Sequence, residues 1–244
     1  MTIDVFFSPA AVDEPSVEGR TAVVIDVIRA TSTLVEALAN GARAIFPTVS
    51  TEEAVKLASS LGREDTLLCG ERKGLKVEGF DLGNSPSEFS AAVVEGKQLV
   101  MTTTNGTRAF VAAEGADKVI AASFMNLAAV AEALNGVHDL AIVCSGRENR
   151  FSLDDALCAG MLIRTLGEGE EEELELNDAG RVVRDLASKY TVDVEFLRST
   201  AAGKALVDAG LGGDLELCAS VDRHPLVPEM RERRISLPLQ TGED

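Results

Sequence analysis

Asp26 stands within the apolar run Thr21–Ile28 and is followed by Arg29, Thr31, Ser32 and Thr33. An acid near the carboxyl end of a strand, just ahead of a helix start, lies where open α/β sheets bind ligands. Helix N-termini there offer free amides to anions. A carboxylate among apolar neighbours needs a partner, because an unpaired buried charge is costly. A divalent cation is one such partner. The other is an Asp26–Arg29 ion pair with an ordinary N-cap at Thr31 or Ser32.

A second polar turn, Thr103-Thr104-Asn105-Gly106-Thr107-Arg108, follows the apolar stretch Gln98–Met101. Its hydroxyls, amide, permissive glycine and arginine suit oxyanion binding, and a plain Thr-capped turn accounts for it equally well. A third segment, Gly70-Glu71-Arg72-Lys73-Gly74, runs on to Gly79–Pro86 as a long glycine-rich connection. Such connections often carry function. Glu71 can ligate a hard cation, and Asp81 and Asn84 can add oxygen ligands. Ser85-Pro86 reads as a helix start, with Ser85 as cap and Pro86 in the first turn.

The fourth segment runs from Cys144 to Asp155. Cys144 and Arg150 have the C-x5-R spacing of thiolate phosphatases, but Val143 precedes the cysteine where those have histidine, and the glycine comes one place early. Buried cysteines are usually inert. Arg147 and Glu148 are the better candidates for substrate and metal contacts. Asp154 and Asp155 serve either as outer-lying acids of the site or as favourable charges at a helix N-terminus.

Composition narrows the partners. The 244 residues hold 40 Asp+Glu against 23 Lys+Arg, a formal charge of −17. Nucleic acid binding needs a dense basic surface, which is missing. Aromatic residues are 4%, too few for a base-stacking platform. An acidic protein that takes a small anionic substrate needs a local basic or metal-containing pocket. His138 and His224 are the only histidines and have no metal-spaced partners. Neither a P-loop, nor a strand-linked G-x-G-x-x-G, nor a G-x-S-x-G elbow is present. Cys69, Cys144, Cys158 and Cys218 form no CxxC pair and read as buried thiols in a reducing compartment. With no signal-peptide pattern and no apolar run near the length that crosses a bilayer, the expected location is the cytoplasm. A homodimer is the ordinary expectation for such a protein.

These candidates need strands and helices to hold them. Short apolar runs alternate with amphipathic stretches, the pattern of an α/β fold. Strands are expected at Thr2–Phe7, Thr21–Ile28, Ala44–Val49 and Thr66–Cys69, with helices at Thr31–Asn40 and Ser50–Leu61, the latter opened by a Ser50/Glu53 capping box. The order recurs with strands Gln98–Met101, Lys118–Ala122 and Asp139–Cys144 and helices Thr107–Ala113 and Asn126–Leu134. Gly41-Ala42 and Gly115-Ala116 share one offset with Leu61-Gly62 and Asn135-Gly136, which points to a duplicated βαβαβ unit. The expected division is 1–96 as a first α/β half and 97–244 as a second. The second half extends into helices (Leu153–Leu166, Asn177–Tyr190, Val194–Ala201, Ser199–Leu211), with a loop at Gly167–Glu175. From Asp222 a tail with Pro225, Pro228 and Pro238 reads as an extended packed arm.

The ordered motifs VVIDVIRATST, CGERKG, GFDLGNSP, TTTNGTRA and FSLDDALCAG resemble those of the 2-phosphosulfolactate phosphatases. The resemblance spans Asp4 to about Leu166 and weakens beyond. It implies a Mg²⁺-dependent hydrolase that releases phosphate from 2-phospho-3-sulfolactate, a reaction of coenzyme M synthesis. It also implies an α/β duplication with a cleft between similar halves. On that footing Asp26 and Glu71, with Glu148, are expected as metal ligands, and Asp26, Arg29 and Glu71 as the catalytic group. Thr31, Ser32, Asn84, Thr103, Thr104, Asn105, Gly106, Thr107 and Arg147 are expected to line the substrate. Direct attack by water is preferred to a phosphoaspartate, since Ile28 stands where haloacid-dehalogenase-like phosphatases keep a second acid. A phosphatase for another phosphorylated hydroxyacid, or a non-catalytic small-anion-binding protein, are the alternatives.

Overall fold

A computed structural model describes residues 1–168 and 174–238. The chain runs β1 (Thr2–Phe6), β2 (Thr21–Ile25), α1 (Ala30–Ala39), β3 (Ala44–Thr48), α2 (Thr51–Leu61), β4 (Thr66–Arg72), β5 (Leu75–Lys76), α3 (Ala91–Val94), β6 (Gln98–Thr102), α4 (Gly106–Ala112), β7 (Lys118–Ala122), α5 (Leu127–Ala133) and β8 (Asp139–Cys144). It continues through α6 (Leu153–Gly167), β9 (Glu175–Leu176), α7 (Asp178–Leu186), α8 (Val194–Ser199), α9 (Ala201–Asp208), α10 (Asp214–Cys218), β10 (Glu229–Arg231) and β11 (Arg234–Ser236). The expected loop at Gly167–Glu175 falls largely on residues 169–173, outside the described residues. Among the described residues, no helix is long and apolar enough to cross a membrane.

Among the described residues the strands form one mixed sheet of 11, in the order β5-β4-β6-β3-β11-β10-β7-β2-β8-β1-β9. β2 lies deep inside it, parallel to both β7 and β8. Its run of buried residues is that of a strand covered on both faces. Val23 and Ile25 join the core made with α5 and α6, whereas Ala22 and Val24 pack on the other face against Leu34 and Leu38 of α1. The period-2 alternation of a strand thus divides one segment between two cores.

The order has an internal regularity. Exchanging β2 with β6, β3 with β7 and β4 with β8 turns β4-β6-β3 into β8-β2-β7, the group at the other side of the hairpin, in mirror order. Each of β2 and β6 therefore sits between two strands drawn from the other half of the sequence.

Three expectations need correction. The strand expected through Ile28 stops at Ile25, because the backbone turns at Asp26, whose amide donates to Thr31 Oγ1 (2.9 Å). The arm expected from Asp222 contains a β-hairpin, β10–β11, that pairs antiparallel with β7 on one side and β3 on the other. Its two turn residues, Glu232 (φ 50°) and Arg233 (φ 58°), both have positive φ, as a type I′ turn requires. In α2, Ser50 accepts the Glu53 amide as expected, but the Glu53 carboxylate reaches Val49 N–H rather than that of Ser50.

Candidate active site

The turns after β2, β4, β6 and β8 open into one cavity of about 370 Å³. Asp26, Arg29, Glu71, Asn84, Thr103, Thr104, Asn105, Arg147 and Glu148 all border it, as do Lys73, Ser145, Asp154 and Asp155. Ligand sites at the carboxyl ends of strands follow from how α/β sheets are wound.

Asp26 is buried, and its Oδ1 accepts the Ala30 amide at 3.1 Å. Thr31 is fully buried; its Oγ1 accepts from Asp26 N–H and donates to Asp26 O. The turn after β6 repeats the device. Thr103 Oγ1 accepts the Thr107 amide (3.1 Å), while Thr107 Oγ1 donates to Thr103 O (3.0 Å). Asp26 and Thr103 thus occupy matching places, one offering a carboxylate and the other a hydroxyl.

The last residues of β4 and the turn after β8 match in the same sense. Gly70 precedes Glu71, and Gly146 precedes Arg147. A Cβ on Gly70 (φ +154°) would stand 2.2 Å from Thr102 O, and one on Gly146 (φ +60°) would stand 2.3 Å from Arg150 O, so neither position accepts a side chain. Glu71 is buried and held from two sides: its Oε1 accepts the Thr104 amide (2.6 Å) and its Oε2 the Gly74 amide (2.7 Å). Arg147 donates to Ala201 O (2.7 Å), and Glu148 is exposed, its amide donating to Asn105 Oδ1 (3.2 Å).

The cavity gathers negative charge. Burial pushes the Asp26 carboxyl up to about 7, against a partial offset from the Ala30 amide, and the charges of Asp154 and Glu71 push the same way. Burial likewise raises Asp154 and Asp155. Asp155 clamps the ends of β2 and β8, accepting from Val27 N–H, Ser145 Oγ and Gly146 N–H. Asp154 Oδ1 accepts from Ser152 Oγ (2.6 Å), but its Oδ2 is buried with no hydrogen-bond partner. Thr104 Oγ1 and Asn84 Oδ1 are orphaned in the same way. Among the described residues no three His, Cys, Asp or Glu side chains are already gathered as metal ligands.

Several expected residues have structural duties instead. Thr31 and Thr107 close their turns, Ser32 Oγ donates to Val27 O (2.8 Å), and Gly106 packs against Asp26; none of the four borders the cavity. Neither the Asp26–Arg29 pair nor a Thr31 or Ser32 cap forms. Arg29 pairs with Asp214 at 2.7 Å, and α1 begins without a side-chain cap. Ser85 does not cap its 3₁₀ turn; its hydroxyl donates to Asp214. Asp81 accepts from Leu68 N–H and pairs with Arg63, away from the cavity. Cys144 is buried, and burial drives its thiol well above the ordinary value, which removes the thiolate that a C-x5-R nucleophile needs. Lys73 and Asp214 drew no role from the sequence. Lys73 was visible in the glycine-rich segment, but nothing local to Asp214 marks it.

A family model described as 2-phosphosulpholactate phosphatase matches residues 6–233. The chain belongs to this family. Relatives named "Probable 2-phosphosulfolactate phosphatase" agree along nearly their whole length. That of Clostridium perfringens (strain 13 / Type A) is 42% identical over 239 residues, covering 96% of each chain. That of Clostridium acetobutylicum is 41% identical over 94% of this chain and 97% of its own, and that of Thermotoga petrophila 41% over 93% and 95%. The match to the 2-phosphosulpholactate phosphatase model extends far past Leu166, through the C-terminal helices and into the hairpin as far as Arg233.

Proposed function

We propose that this chain is a Mg²⁺-dependent phosphoric monoester hydrolase that converts 2-phospho-3-sulfolactate and water to 3-sulfolactate and phosphate. Family membership supports the reaction class. The single observation that carries the reading is the charge layout of the cavity: Asp26, Glu71 and Asp154 border the same space as Arg29, Lys73 and Arg147. A phosphate ester that also bears a carboxylate and a sulfonate needs focused positive charge in a protein of net charge −17, which the three basic side chains and a cation held by the acids would supply together.

Mg²⁺ suits the donor set. It keeps several waters and is usually held by one or two carboxylates together with substrate phosphate, so a complete protein cage is unnecessary. Asp26 and Glu71 would hold it, with Glu148 at the rim, and the orphaned Asp154 Oδ2 is a further oxygen of the right kind. When bound, the ion neutralises phosphate oxygens and acidifies water. Burial is the main cause of the raised Asp26 carboxyl, with a smaller push from Asp154 and Glu71, and a bound cation would oppose both.

The chain's own groups do the rest. Arg29 and Arg147 present N–H donors to oxyanions. The partnerless Thr104 hydroxyl donates to a substrate oxygen. Ile28, Ala202, Ala205 and Leu206 wall the cavity with apolar surface, which strengthens these contacts by limiting water. Water adds to phosphorus, the bond from phosphorus to the 2-oxygen breaks, and that oxygen leaves as the hydroxyl of 3-sulfolactate.

The two-half organisation belongs to the same proposal. The self-matching strand order, the repeated Asp26 and Thr103 turns, and the Gly70-Glu71 and Gly146-Arg147 pair support a duplication of 1–96 in 97–244. On this reading both halves line the cleft between them, the first with Asp26, Glu71, Arg29 and Lys73 and the second with Thr104, Arg147, Glu148 and Asp154. Phosphate release from a panel of phosphorylated hydroxyacids tests the function: 2-phospho-3-sulfolactate should have the highest kcat/KM. Preference for another ester would shift the substrate, and tight anion binding without turnover would favour a binding protein.

A further inference from the structure

The cavity's most deeply placed cation is secured from far along the chain. Arg29 Nη1 donates to Asp214 Oδ2 at 2.7 Å, and Arg29 Nη2 donates to Gly74 O at 2.8 Å. The Arg29 side chain is 3% exposed and that of Asp214 6%. Ser85 Oγ donates to the second oxygen of Asp214. Asp214 is thus fixed at both oxygens, one by the strand-end arginine and one by the loop that precedes α3. It stands at the start of α10, well beyond the polar turns that build the rest of the site.

A buried ion pair is a poor way to gain stability, because the desolvation of both charges offsets their attraction. Its value lies in geometry. A guanidinium has a rigid fork of donors, and fixing two of its nitrogens sets where the remaining donors point. Gly74 belongs to the loop whose amide holds Glu71 Oε2, so the same loop anchors the acid and the arginine. Arg29 and Glu71 both border the cavity, whereas Asp214 does not.

We propose that Asp214 is a positioning residue: by pairing with Arg29, and locked by Ser85, it holds the guanidinium in the orientation that grips the substrate's phosphoryl group. The C-terminal helices thereby set the anion-binding geometry of a site otherwise built from strand-end turns. The inference rests on the proposed phosphatase reading only for the identity of the anion.

The test combines a double-mutant cycle with a binding measurement. Asp214→Asn, Arg29→Lys and the double variant are compared for kcat/KM on 2-phospho-3-sulfolactate with Mg²⁺. Inorganic phosphate binding is measured calorimetrically on the same proteins, and folding is checked by circular dichroism. Asp214→Asn should lower kcat/KM and weaken phosphate binding, each by about 10–100-fold, as expected when a charged partner of a buried pair is lost. In the Arg29→Lys background it should cost less than about 3-fold, since neighbouring groups that act through one another are not additive. Equal losses in both backgrounds would overturn the proposal and make Asp214 a structural residue. If Asp214→Asn does not fold, Ser85→Ala removes only the lock: weaker phosphate binding supports the proposal, and unchanged binding overturns it. Absence of turnover in the wild type, with phosphate binding still dependent on Asp214, would sink the phosphatase reading and leave the positioning role standing.

Discussion

Gly106 stands against Asp26 so closely that a Cβ on it would lie 2.6 Å from Asp26 Oδ2, and 2.4 Å from the Cβ of Ala30. The turn after β6 is therefore seated on the turn after β2, although several strands separate β2 from β6 in the sheet. Gly106→Ala must push the two turns apart. It should cost about 1–3 kcal/mol of stability, the usual cost of overpacking, and lower kcat/KM by about 100-fold, since small misplacements at a reacting centre are expensive. Thermal melts and initial rates check both. A variant with wild-type rates would mean that the spacing of the two turns is unimportant.

Asp154 ends in a buried oxygen without a partner. Asp154→Asn keeps the shape and can keep the Ser152 contact, but replaces that oxygen or its charge. The expected outcome is Mg²⁺ affinity weaker by about 10–100-fold with the fold intact, the range seen when groups supporting a metal site are altered. Calorimetric titration with Mg²⁺ measures this directly, and unchanged affinity would detach Asp154 from the cation.

The raised carboxyl of Asp26 makes a prediction about pH. Its folded value of about 7 lies above its ordinary value of 3.8. Between these limits the folded protein holds a proton that the unfolded chain has released. Metal-free stability therefore falls as pH rises through that window, and is free of this penalty below it. The penalty is complete once the pH is above about 7, where the folded carboxyl has also lost its proton. Asp26→Asn should melt at a higher temperature than wild type in chelator at pH 8, with the difference closing by about pH 4. Phosphate release should vanish in the same variant. A variant that melts lower at pH 8 would contradict the account.

Cys144 is buried with its thiol pushed up. Cys144→Ala should retain phosphate release within about 3-fold, since an inert buried thiol contributes only packing. Loss of activity without loss of fold would return Cys144 to the chemistry.

Much of this site was legible in the sequence, because each turn announces itself locally. Asp26 interrupts an apolar run, Glu71 lies between glycines, and the Thr103–Thr107 turn carries a cluster of hydroxyls. All three turns border the cavity. What did not show is what depends on distant parts of the chain. Asp214 has no local mark, and its role exists only because α10 packs beside Arg29. Thr31, Ser32 and Thr107 look like ligand-binding hydroxyls, yet the turn geometry consumes them internally. The hairpin β10–β11 lacks the Asn-Gly or Asp-Gly turn that signals a type I′ connection, and Glu232-Arg233 adopts it within the central sheet. The interleaving of β2 and β6 among strands of the other half depends on long-range pairing and carries no periodicity of its own.

The central claim is that the acids of this cavity act through a bound dication. It is tested most directly by initial rates of phosphate release from 2-phospho-3-sulfolactate as Mg²⁺ is titrated into chelator-stripped protein, for wild type and for Glu71→Gln. The account predicts a rate that rises from background to saturation in the wild type and stays at background in Glu71→Gln. A stripped wild-type enzyme that turns over at full rate, or a Glu71→Gln protein whose Mg²⁺ dependence matches the wild type, would contradict it.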